Sequence, residues 1–383
     1  MNKLVIHYSE IGTKGKNRDF FEKKLMENLK KVLAEDATKV YRRYGVIISD
    51  LKERVDQNKI TESLRLMPGI SHFSFAVEAR LDLEEIKEQA LAVLEEKEFT
   101  LFKVETKRSN KQFPLKSPDV SREVGKFIEA KTGKKADYKQ AEVVLNVEIG
   151  EKQVFIYAGK IAGVGGLPTG TAGKVVCSLS GGIDSPVASF LLMKRGCEVV
   201  FVHFFNKTIK GDAVLEKIED LVKQLSKIQL KAKLYIIPFA EVQKEITLNV
   251  PAKSRMIVYR RFMMKIINQI LIKEKAKGIV TGDSVGQVAS QTLDNLTCIY
   301  AAASFPLFAP LIGMNKEEIV NLGKMIGTYE ISIQPYPDCC SFMIAQHPET
   351  KGKLEEIEKA EDFIEDKENL VREAVEKAEV KSF

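Results

Sequence analysis

The sequence predicts an α/β protein: a doubly wound parallel sheet in the C-terminal half, preceded by two smaller α+β domains. Three observations predict it. From residue 174 onward strand and helix patterns alternate. The strands there are nearly continuous apolar runs, such as Val199-Val200-Phe201-Val202, the mark of strands covered on both faces. Residues 163–173 hold five glycines in eleven positions and separate this half from a region where helices and strands follow in irregular order.

Each element has its own justification. Residues 1–56 read as a strand (Lys3–Tyr8), a helix (about Asn17–Leu33) and a strand pair (Val40–Tyr44, Val46–Ile48) turning at Gly45. Residues 57–165 open with a helix (Lys59–Leu66) that Pro68-Gly69 stops. A strand (Ser71–Ala79), a helix (Leu83–Lys97), a strand (Thr100–Thr106) and a helix (Val120–Thr132) follow. Two strands, Ala141–Ile149 and Gln153–Ile161, close the region around a hairpin turn at Gly150-Glu151-Lys152. Residues 166–173 are a linker. Residues 174–350 run strand 174–180, helix 186–195, strand 198–205, helix 212–229, strand 232–239, helix 255–277 and strand 278–282. Residues 351–383 are Glu/Lys-rich with helical period and read as a solvated terminal helix without chemistry of its own.

Composition bounds the function. The 383 residues are 44% hydrophobic, with a net charge of +6. Residues 1–170 carry 31 Lys+Arg against 26 Asp+Glu, and residues 351–383 carry 7 against 11, so the two large parts are basic and the tail acidic. Such a balance permits a polyanionic partner, although a solvated lysine-rich surface explains it equally well. No run of about 18 apolar residues predicts a membrane span. The N-terminus turns polar too soon for a signal peptide. Five sparsely placed cysteines argue for a reducing cytoplasm. Four histidines and no Cys-x-x-Cys argue against a zinc or iron–sulfur centre. High Lys and Glu with no Trp suit a heat-adapted source.

Chemistry concentrates where the first strand of the parallel sheet ends. Ser180-Gly181-Gly182-Ile183-Asp184-Ser185 joins that strand to a helix beginning near Pro186. Adjacent glycines let the backbone turn tightly and approach a ligand. Asp184 or Ser185 is placed to cap the helix, and Pro186 suits its first turn. The free N–H groups and the positive end of the helix dipole then make an anion site. The segment is not a Walker A loop, since no Gly-x-x-x-x-Gly-Lys-Ser/Thr occurs in the chain.

This loop resembles the pyrophosphate (PP-) loop of ATP-pyrophosphatases, which split ATP between the α and β phosphates and adenylate an oxygen. Four further segments extend the likeness: His7-Tyr8-Ser9-Glu10-Ile11-Gly12-Thr13-Lys14-Gly15-Lys16-Asn17-Arg18, Gly165-Gly166-Leu167-Pro168-Thr169-Gly170, Thr281-Gly282-Asp283-Ser284 through Gln291-Thr292, and Pro335-Tyr336-Pro337-Asp338-Cys339-Cys340-Ser341. Together they resemble the tRNA 4-thiouridine synthetase family, a sulfurtransferase also linked to thiamine thiazole synthesis.

The resemblance implies a ferredoxin-like domain at 1–56, a THUMP RNA-binding domain at 57–165, a PP-loop catalytic domain at 174–350 and a helical extension at 351–383. It implies ATP with Mg2+, and tRNA contacted at its acceptor arm and uridine 8. It further implies a cysteine desulfurase as persulfide donor, a ThiS-type sulfur carrier as a further partner, and a cytoplasmic enzyme with no membrane partner. The oligomeric state stays open, a homodimer being one option. Many family members carry a C-terminal rhodanese-like domain whose cysteine receives the persulfide. Here no cysteine follows Cys340. Sulfur is then expected on a cysteine of the catalytic domain or on a separate carrier.

Residue by residue, phosphates are expected on Ser180, Gly181, Gly182, Asp184 and Ser185, with Asp184 toward magnesium or capping the helix. The family likeness places Ser178 and Leu179 on the adenine side, the backbone of His203 and Phe204 at the base, and Arg260 on the nucleotide. His203 alone reads as a packed strand residue, and Arg260 alone as half of a salt bridge. Gly282 allows close backbone approach, and Gln291 is a hydrogen-bonding candidate for the nucleotide or the uridine edge. Asp283 is either a second acidic group at the reacting centre or a loop cap. Cys340 is the expected persulfide carrier, with Cys339 as alternative; Cys177 and Cys197 read as core and Cys298 is undecided. Lys14, Lys16 and Arg18, and Lys107, Arg108, Lys111 and Lys116 around Phe113, are RNA-contact candidates or solvated charge. Rival readings are another PP-loop thiolase or adenylating ligase, and a non-catalytic RNA-binding protein.

Overall fold

A computed structural model describes residues 1–43, 45–95, 97–206, 211–335 and 348–383. The chain divides into two compact units, Met1–Pro168 and Thr169–Phe383.

The first unit contains strands β1 (Lys3–His7), β2 (Ala37–Arg43), β3 (Val46–Leu51), β4 (His72–Ala79), β5 (Leu101–Arg108), β6 (Lys135–Ala136), β7 (Val143–Ile149), β8 (Val154–Ala158) and β9 (Ile161–Ala162). Its helices are α1 (Arg18–Val32), α2 (Gln57–Arg65), α3 (Leu83–Glu95) and α4 (Ser117–Thr132). The strands form one sheet in the order β2-β3-β1-β4-β8-β7-β5-β6, with β9 beside β4. The two expected α+β domains are thus joined through β4. His72–Ala76 pair with β1, and Val77–Ala79 pair with β8.

Strand alternation decides the cores: Leu4 and Ile6 face α1 and α2, while Val5 joins Ile48, Ala76 and Tyr157 on the other face. The first core runs past the expected edge at residue 56. Asp56 caps α2, accepting from the backbone of Asn58 and Lys59, and Ile60 and Leu64, one turn apart, are buried beside β1. α3 and α4 cover β5 and β7 with Ile86, Ala90, Val120 and Val124.

The second unit contains β10 (Lys174–Ser178), α5 (Asp184–Lys194), β11 (Glu198–Phe205), α6 (Gly211–Gln229), β12 (Lys233–Pro238), α7 (Ala240–Asn249), α8 (Arg255–Glu274), β13 (Ile279–Val280), α9 (Leu293–Tyr300), β14 (Leu307–Phe308), α10 (Lys316–Met325), α11 (Tyr329–Ser332), α12 (Leu354–Asp362), α13 (Lys367–Glu376) and β15 (Glu379–Ser382). The sheet order is β14-β13-β10-β11-β12-β15. All neighbours are parallel except β12 and β15.

The acidic tail is not the solvated helix its composition suggests. Ile357, Ala360, Ile364, Val371 and Ala374 are buried in the core of this unit, and β15 pairs with β12. Glu361, also buried, receives the guanidinium of Arg261 at 2.6 Å and the ammonium of Lys265. The apolar stripe is narrow, so the Glu/Lys surface dominates the composition and hides it.

Glu274 closes α8 at the opposite end of the sheet from the functional loops. It accepts from Lys233 Nζ (2.7 Å), Tyr235 OH (2.7 Å) and Lys174 Nζ (3.3 Å), tying β10 to β12. Burial pushes its pKa up, but these donors outweigh burial and hold it down at about 2, against an ordinary 4.5. A carboxylate whose folded pKa is depressed stabilises above its unfolded pKa and loses that contribution as pH falls through the folded value. Glu274→Gln is therefore expected to lower Tm at pH 7 and to flatten the fall of Tm between pH 4.5 and 2, read by thermal scans across that range.

Candidate active site

The order of the sheet locates the site. From β10 the chain moves through α5 to β11 on one side, while its other neighbour, β13, arrives from later in the sequence. Loops leaving the carboxyl ends of β10 and β13 therefore diverge and leave a crevice at the switch point. A cleft of about 510 Å³ lies there, lined among others by Ser178, Ser180, Asp184, Arg260, Asp283 and Gln291.

The PP-loop turn is built by two hydroxyls. Ser180 N donates to Ser185 Oγ at 2.9 Å, the two Oγ atoms are 3.1 Å apart, and Gly182 N donates to Ser180 Oγ at 3.3 Å. Neither Gly181 nor Gly182 takes positive φ, so the turn here is made without left-handed backbone. A Cβ on Gly182 would touch only Ser180 Oγ, at 3.5 Å. Without side chains they leave the backbone uncovered at the start of α5, an arrangement suited to an anion. Gly282 is the sterically forced glycine: a Cβ there would lie 2.7 Å from Ser185 N and 2.9 Å from Asp184 C. The loop after β13 thus packs directly on the first turn of α5.

Asp184 does not cap α5; the N-cap is Ile183, without a side-chain bond. Its carboxylate instead receives Lys316 Nζ at 2.6 Å and Gln287 Nε2 at 2.9 Å. Lys316 was missed in the sequence because it opens α10, far along the chain, in a segment with no motif. It sits there because Asn315 and Glu318 form a capping box that fixes the start of that helix.

Asp283 is buried and bound on both oxygens. Arg260 Nη2 donates to them at 2.7 and 2.8 Å, Gln291 Nε2 at 3.2 Å and Tyr300 OH at 3.0 Å. Burial, and then the adjacent carboxylate, raise the Tyr300 pKa and keep the phenol protonated as a donor. Three expected site residues, Arg260, Asp283 and Gln291, are thereby brought together, and Tyr300 is an addition. Asp283 is no loop cap. Gln291 Oε1 is a buried acceptor with no hydrogen-bond partner among the described residues. Arg261 turns away from the cleft and binds Glu361 and the carbonyl of Cys298.

The side chains of Leu179, His203 and Phe204 are buried rather than presented to the cleft. His203 Nδ1 lies 3.0 Å from the Leu179 carbonyl, and Phe204 packs edge-on against Phe239. Cys177, Cys197 and Cys298 are buried, and burial pushes the Cys177 thiol up to about 12. Cys339 and Cys340 fall outside the described residues. Among the described residues no three His, Cys, Asp or Glu side chains converge as a metal site. Among the described residues no helix is long and apolar enough to cross a membrane.

In the first unit, Lys16, Lys107, Lys111 and Lys116 are exposed, and Lys14 is partly covered, lying over the Phe21 ring. Arg18 is engaged by Glu22 (2.9 Å) and Tyr8 OH (2.5 Å), within a network that includes Arg42. Arg108 holds the carbonyls of Phe113 and Leu115, both at 2.8 Å, and Phe113 is buried in the core. These two arginines stabilise their loops, while the lysines remain available to solvent.

With that geometry established, comparison with known proteins is direct. A family model described as "Thiamine biosynthesis protein (ThiI)" matches residues 170–365, a THUMP domain model matches 80–158, and a ThiI ferredoxin-like domain model matches 3–74. A "Probable tRNA sulfurtransferase" of Caldanaerobacter subterraneus subsp. tengcongensis is 45% identical, with 94% of each chain aligned. Another, from Acetivibrio thermocellus, is 41% identical over 98% of this chain and 97% of its own. The crystal structure of a 4-thiouridine synthetase–RNA complex with bound ATP superposes with a TM-score of 0.93 at 35% identity, covering 100% of both chains. The PP-loop crevice, the two-part N-terminal unit and these full-length likenesses agree: the chain belongs to the ThiI family of tRNA sulfurtransferases.

Proposed function

We propose that this chain adenylates O4 of uridine 8 of tRNA and replaces that oxygen with sulfur from a persulfide carried on Cys340. What carries the reading is the crevice at the switch point: a loop suited to an anion, lined together with Arg260 and Gln291 gathered on the buried Asp283 carboxylate.

ATP lies with its phosphates on the backbone of 181–185 and its base toward Ser178. O4 of the uracil, its N3 proton released to solvent, attacks the α-phosphorus; the bond to the bridging oxygen breaks and pyrophosphate leaves. Charge building on the leaving group is met by N–H donors of the loop and by Lys316, groups fixed before reaction. Asp184 is the carboxylate placed to hold magnesium, consistent with an ion that uses one or two carboxylates plus substrate phosphates. When bound, the ion would screen the phosphates. Gln291 Oε1 is suited to accept from a base edge.

In the second half, the outer sulfur of the Cys340 persulfide adds to C4 and AMP leaves with the oxygen. A second thiol, Cys339 or a small-molecule thiol, then attacks the Cys340 sulfur, releasing 4-thiouridine and forming a disulfide that a reductant reopens. Cys340 is preferred over Cys339 on the family resemblance, and the burial of Cys177, Cys197 and Cys298 leaves those three poorly placed for the role. A cysteine desulfurase in the cytoplasm loads the sulfur, and Lys14, Lys16, Lys107, Lys111 and Lys116 contact RNA phosphates.

Incubating the purified chain with ATP, Mg2+, a persulfide donor and unmodified tRNA is expected to yield one AMP per 4-thiouridine, mapped to position 8. ADP as the spent nucleotide, or sulfur at another base, overturns the reading.

A further inference from the structure

The backbone enters and leaves the stretch 336–347 at two anchored points. On the entering side, Ser332 Oγ donates to the carbonyl of Gly182 in the PP-loop at 3.3 Å. The ammonium of Lys217, buried on α6, donates to the carbonyls of Ser332 (2.8 Å) and Gln334 (2.9 Å). On the leaving side, the fully buried Asn295 spends its whole amide. Nδ2 donates to the carbonyls of Glu349 (2.7 Å) and Ala289 (2.8 Å), and Oδ1 accepts from Gly352 N (3.0 Å). Gly352 is a glycine because a Cβ would sit 2.8 Å from Asn295 Oδ1. Ala289 belongs to the loop that presents Gln291. Each anchor therefore joins the ends of this stretch to one wall of the nucleotide cleft.

We propose that Lys217 and Asn295 are positioning residues for the sulfur-transfer half of the reaction. Acting through the backbone on either side of the stretch that carries Cys339 and Cys340, they set where its thiols are delivered relative to the PP-loop and the Gln291 loop. The proposal rests on the reading of Cys340 given above.

Magnitudes separate positioning from mere tethering. If Asn295 let go, Glu349 N would still donate to the Lys253 carbonyl at 3.1 Å, so the span from Gln334 to Glu349 keeps its length. Even release as far as Ile357, buried in the core, would lengthen the span only from 15 to 23 residues. Local concentration falls roughly as the −3/2 power of length, so tethering alone is worth at most about twofold. Misorientation of a reacting group by about 1 Å costs up to roughly 100-fold.

The test compares both halves of the reaction in Lys217→Met, Lys217→Arg and Asn295→Ala, using full-length protein, ATP, Mg2+, a persulfide donor and unmodified tRNA. Tm is measured alongside. Because Asn295→Ala strands three backbone groups and risks misfolding, Lys217→Met is the primary variant. The expected result for Lys217→Met is tRNA-dependent pyrophosphate release within about threefold of wild type while 4-thiouridine falls at least about tenfold, the split that lost orientation produces; Asn295→Ala, which also frees the Gln291 loop, is expected to lower both halves. ATP consumed per thiolation rises accordingly, and Lys217→Arg, which keeps the cation, restores coupling.

In Lys217→Met, a fall of about twofold or less in thiolation, or equal falls in both halves, overturns the proposal. Cys340→Ser and Cys339→Ser run in parallel. If both thiolate normally, the cysteine reading fails and takes this proposal with it. If the cysteine variants are inactive while the anchor variants thiolate normally, the positioning role alone fails.

Discussion

Replacing Asp184 with asparagine is expected to cut tRNA-dependent pyrophosphate release by about 100–1,000-fold, the usual scale for removing one preorganised charged group from a reacting site. The change is nearly isosteric, and the Asp184–Lys316 pair is partly solvated, with Lys316 half-exposed. Such pairs contribute about 0–1 kcal/mol, so Tm should barely move. tRNA binding, for which the exposed lysines of the first unit are the proposed contacts, should stay within about twofold, because such affinity comes from phosphate contacts away from Asp184.

Lys316→Ala separates the two roles Asp184 can have. If Asp184 serves only to hold Lys316, both variants lose the same activity and excess magnesium rescues neither. If Asp184 holds the ion that travels with ATP, Asp184→Asn alone raises the magnesium concentration needed for half-maximal rate, while Lys316→Ala lowers the plateau. Magnesium titrations of pyrophosphate release at saturating ATP distinguish these outcomes. Equal loss of release and tRNA binding in Asp184→Asn would make the residue structural.

These residues differ in how legible they were. The PP-loop could be read because its chemistry is local: a strand, a turn and a helix start lie within a dozen residues. The parallel core was legible for the same reason, since apolar runs on strands buried on both faces carry their own signal. Gly181-Gly182 announced the turn between β10 and α5, although neither takes positive φ, whereas steric contact demands a glycine at Gly282, which carries no turn signal. That demand comes from Ser185, almost one hundred positions away. Lys316 and Tyr300 were invisible on the same ground, as their partners Asp184 and Asp283 are neighbours only after folding. Arg18 and Arg108 read as RNA-contact candidates because both lie among basic residues on loops, and sequence gives no sign of the carboxylate or carbonyls that each engages within the fold. The tail was misjudged because a narrow apolar stripe under many charges has the composition of a solvated helix.

The Asp283→Asn variant is expected to show the largest stability loss of any change in the cleft, and it decides what Arg260 is for. Removing one partner of a buried pair strands the other charge, which costs about 3–5 kcal/mol. For a domain of 150–250 residues that corresponds to a fall in Tm of roughly 6–20 °C. The amide also turns a donor toward Arg260, Tyr300 or Gln291, all of which donate to Asp283 in the native protein. A stranded guanidinium beside the cleft then has one remaining source of negative charge, the nucleotide. If Arg260 binds ATP, saturating ATP raises the Tm of Asp283→Asn by more than it raises that of wild type, because the triphosphate replaces the missing carboxylate as well as occupying its own site. In the Arg260→Gln, Asp283→Asn double variant the extra rise disappears. If Arg260 only anchors Asp283, the ATP-induced shift in the single variant is no larger than in wild type, and the pair is a brace for the Gln291 loop. Thermal scans of wild type, Asp283→Asn and the double variant with and without ATP read the difference directly, without relying on turnover.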